Sequence, residues 1–76
     1  MNTTTTLEQI GVGKAARIQA LHTSGSIRRR LLDLGMIPGT RVECLQKSPA
    51  GDPAAYLIRG AVIALRREDS SAIQVM

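Results

Sequence analysis

Apolar and polar residues alternate along Ala15–Leu21, with Ala16, Ile18 and Ala20 on one face and Arg17 and Gln19 on the other. A period of two predicts a half-buried strand. The period then changes. Ile27, Leu31 and Leu34 fall at i, i+4 and i+7, the single apolar stripe of a short helix. His22 to Gly25 form the intervening turn, and Ser24 or Ser26 can cap the first helical amides. Gly35 stands where the helix must stop, able to take a positive φ without a Cβ penalty. Met36 or Ile37 can then fold back onto Leu31, and Pro38-Gly39 fits the two centre positions of a type II turn.

Alternation resumes over Thr40 to Lys47, with Val42 and Cys44 inward and Arg41 and Glu43 outward. Ser48-Pro49-Ala50-Gly51 matches a type I turn, and Asp52, before Pro53, is biased towards extended geometry. Ala54–Ile58 and Ala61–Leu65 are two more strands, joined by a tight Arg59-Gly60 hairpin in which Gly60 supplies positive φ. Arg66 to Ser71 is a polar turn with room for one turn of helix. Ala72 to Met76 closes the chain as a short strand with Ile73 and Val75 inward. At the other end, residues 1–6 are a flexible, Thr-rich polar tail, and Leu7, Ile10 and Val12 make an apolar lead-in. The expected domain therefore spans 7–76. It is mainly β: five short strands, with one helix inserted between the first and second strands. So few strands cannot build a two-sheet sandwich with a proper core, but they can curl into a small, partly open barrel. No internal repeat is visible.

A chain of 76 residues is one domain and buries only roughly 60% of its unfolded surface, so a deep catalytic cleft is not expected. Cys44 is the sole cysteine, which excludes an internal disulfide and suits a reducing cytosol. The start, MNTTTTLEQIG, has no basic n-region and no apolar h-region. The longest apolar stretch, Ala61–Leu65, falls far short of the roughly 18 residues of a spanning helix. A cytoplasmic protein is expected, reaching a membrane only through a partner. Ten Lys and Arg against six Asp and Glu leave a net charge of +4. That balance suits nucleic acid, anionic lipid or an acidic protein face. Tyr56 is the only aromatic residue, so no platform of stacked rings is available for single-stranded nucleic acid.

The candidate chemistry is sparse. His22 and Cys44 have no second soft ligand at a metal-binding spacing, and a structural zinc site needs four. The carboxylates follow no calcium-loop pattern. The Gly-Val-Gly-Lys stretch at 11–14 resembles a fragment of a phosphate-binding loop, but Glu8 and Ala15 occupy positions that need Gly and Ser or Thr. No base is arranged beside a nucleophile, so the protein is expected not to be an enzyme. Arg28, Arg29 and Arg30 sit at or near the helix start, where the macrodipole favours acidic residues. Arg29 and Arg30 can pair weakly with Asp33 at i+4 and i+3, which leaves Arg28 unpaired. The run is either a solvated face or a binding face. Leu32 lies about 140° from Ile27 on the helical wheel, so either the barrel wraps two sides of the helix or Leu32 is exposed.

Residues 28–40 (RRRLLDLGMIPGT), followed by SPAGDPAAYLIRGAVIALRR at 48–67, resemble the ferrous iron transport protein A (FeoA) family. The shared features are Leu31, Leu34 and Gly35, then Pro38-Gly39, Gly51-Asp52-Pro53, Arg59-Gly60 and Ala64-Leu65-Arg66. The resemblance implies an SH3-like barrel in the bacterial cytosol. It implies an accessory role in ferrous iron uptake, by protein–protein interaction with a membrane ferrous iron permease that carries a cytosolic GTPase domain. It implies no cofactor and no established iron site. The same fold ends iron- and manganese-dependent repressors, where DNA-binding and dimerisation segments precede it. Ala61 and Val62 depart from the family pattern and leave the hairpin apolar, an edge able to self-associate weakly. By analogy with SH3 grooves, the expected contact face is the helix and its following turn. Leu31 and Leu32 would anchor it, Arg28, Arg29 and Arg30 would steer, and Met36 would pack at the edge; Leu31 serves equally well as core. The rival reading is a basic SH3-like barrel that binds nucleic acid, and a third is a direct iron chaperone.

Overall fold

The computed structural model describes residues 5–76. One antiparallel sheet contains six strands: β1 (Thr5–Thr6), β2 (Ala15–Leu21), β3 (Arg41–Lys47), β4 (Ala54–Ile58), β5 (Ala61–Leu65) and β6 (Ile73–Val75). Their spatial order is β1-β6-β2-β3-β4-β5. Helix α1 (Gly25–Asp33) lies between β2 and β3, and the single turn α2 (Arg67–Ser70) between β5 and β6. A 3-10 turn, Leu7–Gln9, follows β1.

Strand β2 is shared between the two halves of the sheet. Its residues Ala15 to Arg17 pair with β3, whereas Ile18 to Leu21 pair with β6 across a bulge between Ile18 and Ala20. A second bulge interrupts the β3–β4 ladder between Cys44 and Gln46. Bulges bend a strand and increase its twist. Ile18, Val42, Tyr56, Ile63 and Val75, one from each long strand and β6, meet in a single core with Leu7, Leu31 and Met36. A flat sheet could not bring both of its ends to one cluster, so the sheet curls around that core. Strands β1 and β5 end the order, which leaves the barrel partly open, as the alternation pattern predicts.

The expected tail reaches two residues too far. Thr5 and Thr6 pair with Val75 and Gln74 as a sixth strand. This pairing is made by the backbone, so side-chain alternation does not announce it; fully buried Leu7 pins it in place. Residues 1–4 of the expected tail lie outside the described residues. Of the apolar lead-in, Leu7 and Ile10 are buried while Val12 is exposed.

Helix α1 ends as the Gly35 pattern predicts. The Met36 N–H donates to the Leu31 carbonyl at 3.0 Å and the Gly35 N–H to the Leu32 carbonyl at 3.0 Å, the two bonds of a Schellman stop. Gly35 has φ of 93°. Met36, not Ile37, folds back and is fully buried. The Thr40 N–H donates to the Ile37 carbonyl at 3.0 Å, closing the Pro38-Gly39 turn. At the other end Ser24 occupies the N-cap position but its side chain makes no cap bond. Gly25 follows it with φ of 67°, in the left-handed region.

The β4–β5 hairpin has positive φ at both centre residues, Arg59 at 50° and Gly60 at 84°, the type I′ geometry that matches strand twist. Arg59 is the only non-glycine residue with positive φ among the described residues. Its side chain lies across Gly35: a Cβ at residue 35 would sit 2.5 Å from Arg59 Cδ. The Asp52–Pro53 peptide is cis, and Asp52 Oδ1 accepts the Arg67 N–H at 2.9 Å, tying this loop to the start of α2.

Gly35→Ala should therefore lower stability by about 1–3 kcal/mol from backbone strain alone, with displacement of Arg59 added, as read by urea unfolding. Burial also pushes the Tyr56 phenol above its ordinary value of 10.0, partly offset by a hydrogen bond with Ser70. Above that pH the folded chain holds more protons than the unfolded chain, so stability falls as pH climbs through the window, and is unaffected below it. As Tyr56 is the sole ring, absorbance at 295 nm reads it alone. Its midpoint should lie above 10.0 in buffer and fall back in denaturant.

Candidate interaction site

Helix α1 is nine residues long, which changes the electrostatics of its arginines. Arg30 falls in the last turn, where a cation is favoured by the macrodipole. Arg28 folds back along the helix and Nη1 donates to the Leu21 carbonyl at 2.9 Å, so it caps the end of β2. Arg29, the fifth of the nine helical residues, stands outside the terminal turns in which the dipole acts. The expected pairs with Asp33 do not form: among the described residues the single ion pair is Arg41–Glu43, at 3.4 Å.

The six expected contact residues separate into two groups. Leu31, 1% exposed, and Met36, 0% exposed, are core residues and cannot reach a partner while the fold persists. Leu31 lies on the apolar stripe that burial requires, and Met36 is the residue that folds back beyond the Gly35 stop. Leu32 is 38% exposed, because no strand covers the second side of the helix. Arg28, Arg29 and Leu32 line one shallow concavity of about 370 Å³ with Gly25 and Asp33. Arg30 is exposed outside that set.

A larger concavity lies on the other side of the Pro38-Gly39 turn. Arg17 on β2 and Arg41 on β3 are direct cross-strand partners. Arg59 extends the row at the end of β4, one residue beyond Ile58, which pairs with Val42. The three arginines, with Pro38, Leu57 and Gly60, line a cleft of about 570 Å³. Arg17 is held there by a 2.9 Å bond from Nη1 to the Gly39 carbonyl. Past this bond the surface continues into a second cleft of about 650 Å³, which Arg17 and Arg41 also line, with Ala16, Gln19, Pro38 and Met76. No local motif contains this row. The sequence signal was limited to outward-facing Arg17 and Arg41; their adjacency comes from register.

The remaining chemistry is structural. His22 Nε2 lies 2.9 Å from Gln74 Oε1, and Cys44 is a buried free thiol. Among the described residues no three of His, Cys, Asp and Glu come together to hold a metal ion, and no helix is long and apolar enough to cross a membrane.

The FeoA domain family matches residues 5–76. The chain belongs to the FeoA family. Its family is one of small domains associated with ferrous iron transport rather than of enzymes. It is 33% identical over 69 residues to an Fe(2+) transport protein A/Fe(2+) transporter FeoB fusion protein from Porphyromonas gingivalis, a match that covers 91% of this chain and 8% of that much longer relative. The solution structure of FeoA from Chlorobium tepidum superposes with a TM-score of 0.88 at 30% identity, covering 93% of this chain and 68% of that one. The crystal structure of Stenotrophomonas maltophilia FeoA, a zinc complex described as a procaryotic SH3 domain protein, superposes with a TM-score of 0.83 at 26% identity, covering 95% and 89%. The SH3-like fold expected from the sequence is the fold of this FeoA domain.

The split of the helix residues has a direct test. Leu31→Ala should cost about 2–5 kcal/mol, whereas Leu32→Ala, on the open side of the same helix, should stay within about 1 kcal/mol of the parent. Equal costs in thermal unfolding would contradict the assignment of Leu31 to the core and Leu32 to the surface.

Proposed function

We propose that this FeoA domain is a cytosolic, non-enzymatic accessory protein of ferrous iron uptake that acts by binding an FeoB-type membrane permease. The observation that carries the reading is the Porphyromonas gingivalis relative, in which a segment 33% identical to this chain belongs to the same polypeptide as an FeoB transporter. Fusion raises the effective concentration of one module at another, and the same contact made in trans is the economical reading for a separate domain. The helix face supplies a chemistry for that contact. Leu32 offers an exposed apolar anchor, and Arg29 and Arg30 add charge at its border.

The nucleic-acid reading has less support. Tyr56, the only Phe, Trp or Tyr residue, is buried, so it cannot stack on a base. His22, the only histidine, faces Gln74 rather than a nucleophile, which supports the non-enzymatic role.

Immobilised chain should retain the detergent-solubilised FeoB-type permease of its own organism. Arg29→Glu combined with Leu32→Ala should weaken retention at least tenfold while leaving the thermal midpoint nearly unchanged. Wild-type chain that retains no permease, under conditions where it is folded, would overturn the proposal.

A further inference from the structure

Three cations in a row across adjacent strands are not a stable choice for a bare sheet. Like charges directly opposite across an antiparallel ladder repel, and Arg17 faces Arg41 in register. Among the described residues Glu43 is the only carboxylate paired with the row, at 3.4 Å from Arg41. Arg59 adds backbone strain, since it holds a positive φ of 50° where glycine, asparagine or aspartate is favoured. Repulsion concentrated in one place points to an anionic ligand that relieves it.

The row is also prepared for binding. The Arg17 guanidinium is held by the Gly39 carbonyl, and the Arg59 stem is seated on Gly35. Arginines fixed in this way lose less freedom when they engage an anion, and their planar forks suit bidentate contact with carboxylates. Beyond the Arg17–Gly39 bond the lining is mixed, with Gln19 beside Ala16, Pro38 and Met76, and exposed Pro38 and Met76 offer the aliphatic contact there. A free inorganic anion would use the basic half alone. A nucleic acid strand would find no ring on which to stack its bases. A short extended peptide that carries carboxylates and, a few residues on, an aliphatic side chain would use both halves.

We propose that the groove formed by Arg17, Arg41 and Arg59, continuing over the Pro38-Gly39 turn, is a binding site for an acidic, leucine-containing peptide segment of a protein partner. The site deepens the reading of this domain as a protein-binding accessory, and it adds a contact separate from the helix face.

The test is a titration of isotope-labelled full-length chain with an acetylated, amidated peptide of sequence Glu-Leu-Glu-Asp-Leu-Glu, followed by amide chemical shifts. The expected perturbations centre on Arg17, Gly39, Arg41, Gly60 and Met76. Affinity should fall at least tenfold in Arg41→Glu and in Arg17→Gln, and should be unchanged in Arg66→Gln, an exposed arginine outside both faces. The Arg41 side chain is exposed and its bond, to Glu43, lies at the surface, so Arg41→Glu tests the site even if Arg17→Gln unfolds. A lysine-for-acid version of the peptide should give no perturbation. The proposal is overturned if the peptide causes no shifts up to millimolar concentration, or if Arg41→Glu binds it as well as the parent. It is also overturned if inorganic phosphate or an oligonucleotide gives the same shifts at equal or lower concentration. Permease retention separates this result from the function proposed above. Retention by wild type without peptide binding removes the groove and keeps the function; peptide binding without retention does the reverse.

Discussion

The architecture depends on residue 35 having no Cβ. Gly35 ends helix α1 through the Schellman bonds to Leu31 and Leu32, and its carbonyl accepts the Thr40 hydroxyl at 2.9 Å across the following turn. The space where its side chain would stand is filled by Arg59 from the β4–β5 hairpin. One glycine thus joins the helix stop, the Pro38-Gly39 turn that launches β3, and the far hairpin. The same junction frames the basic cleft, because the turn and the hairpin form two of its walls.

With this junction set, a small chain can close a core from side chains of modest size. Strand β2 divides its pairing between β3 and β6, so the sheet turns on itself without a long crossover. The core then fills from both ends of the sheet, with Tyr56 and Met36 among its largest members. The open edge at β5 carries Val62, 62% exposed, and no charged residue from Ala61 to Leu65. Uncharged edge strands are the ordinary place for a sheet to acquire a further strand.

The electrostatics of the two arginine groups run in opposite directions once distances are known. In the helix, a run that looks anomalous in one dimension is largely resolved: Arg28 finds the Leu21 carbonyl and Arg30 reaches the favourable end of the dipole. On the sheet, arginines that look ordinary in sequence become a contiguous row. Concentrated like charge that the fold itself does not neutralise is the more informative of the two, since folding alone gives no reason for it.

Almost every element was legible from the chain. The strand periods, the Gly35 stop, the Pro38-Gly39 turn and the Arg59-Gly60 hairpin are encoded within a few consecutive residues, where local sterics and burial decide the outcome. β1 was not legible, because a backbone ladder between Thr5–Thr6 and β6 leaves no side-chain signature. The candidate site was legible only in part. A helical stripe reports which residues share a face, but not whether the barrel also covers a second side of the helix, so spacing placed Leu31 on the stripe and Leu32 off it without deciding that Leu32 is exposed. The row of Arg17, Arg41 and Arg59 was invisible for a related reason. The local sequence determines turns and periods, whereas neighbours across a sheet are set by register, which only the closed tertiary structure decides.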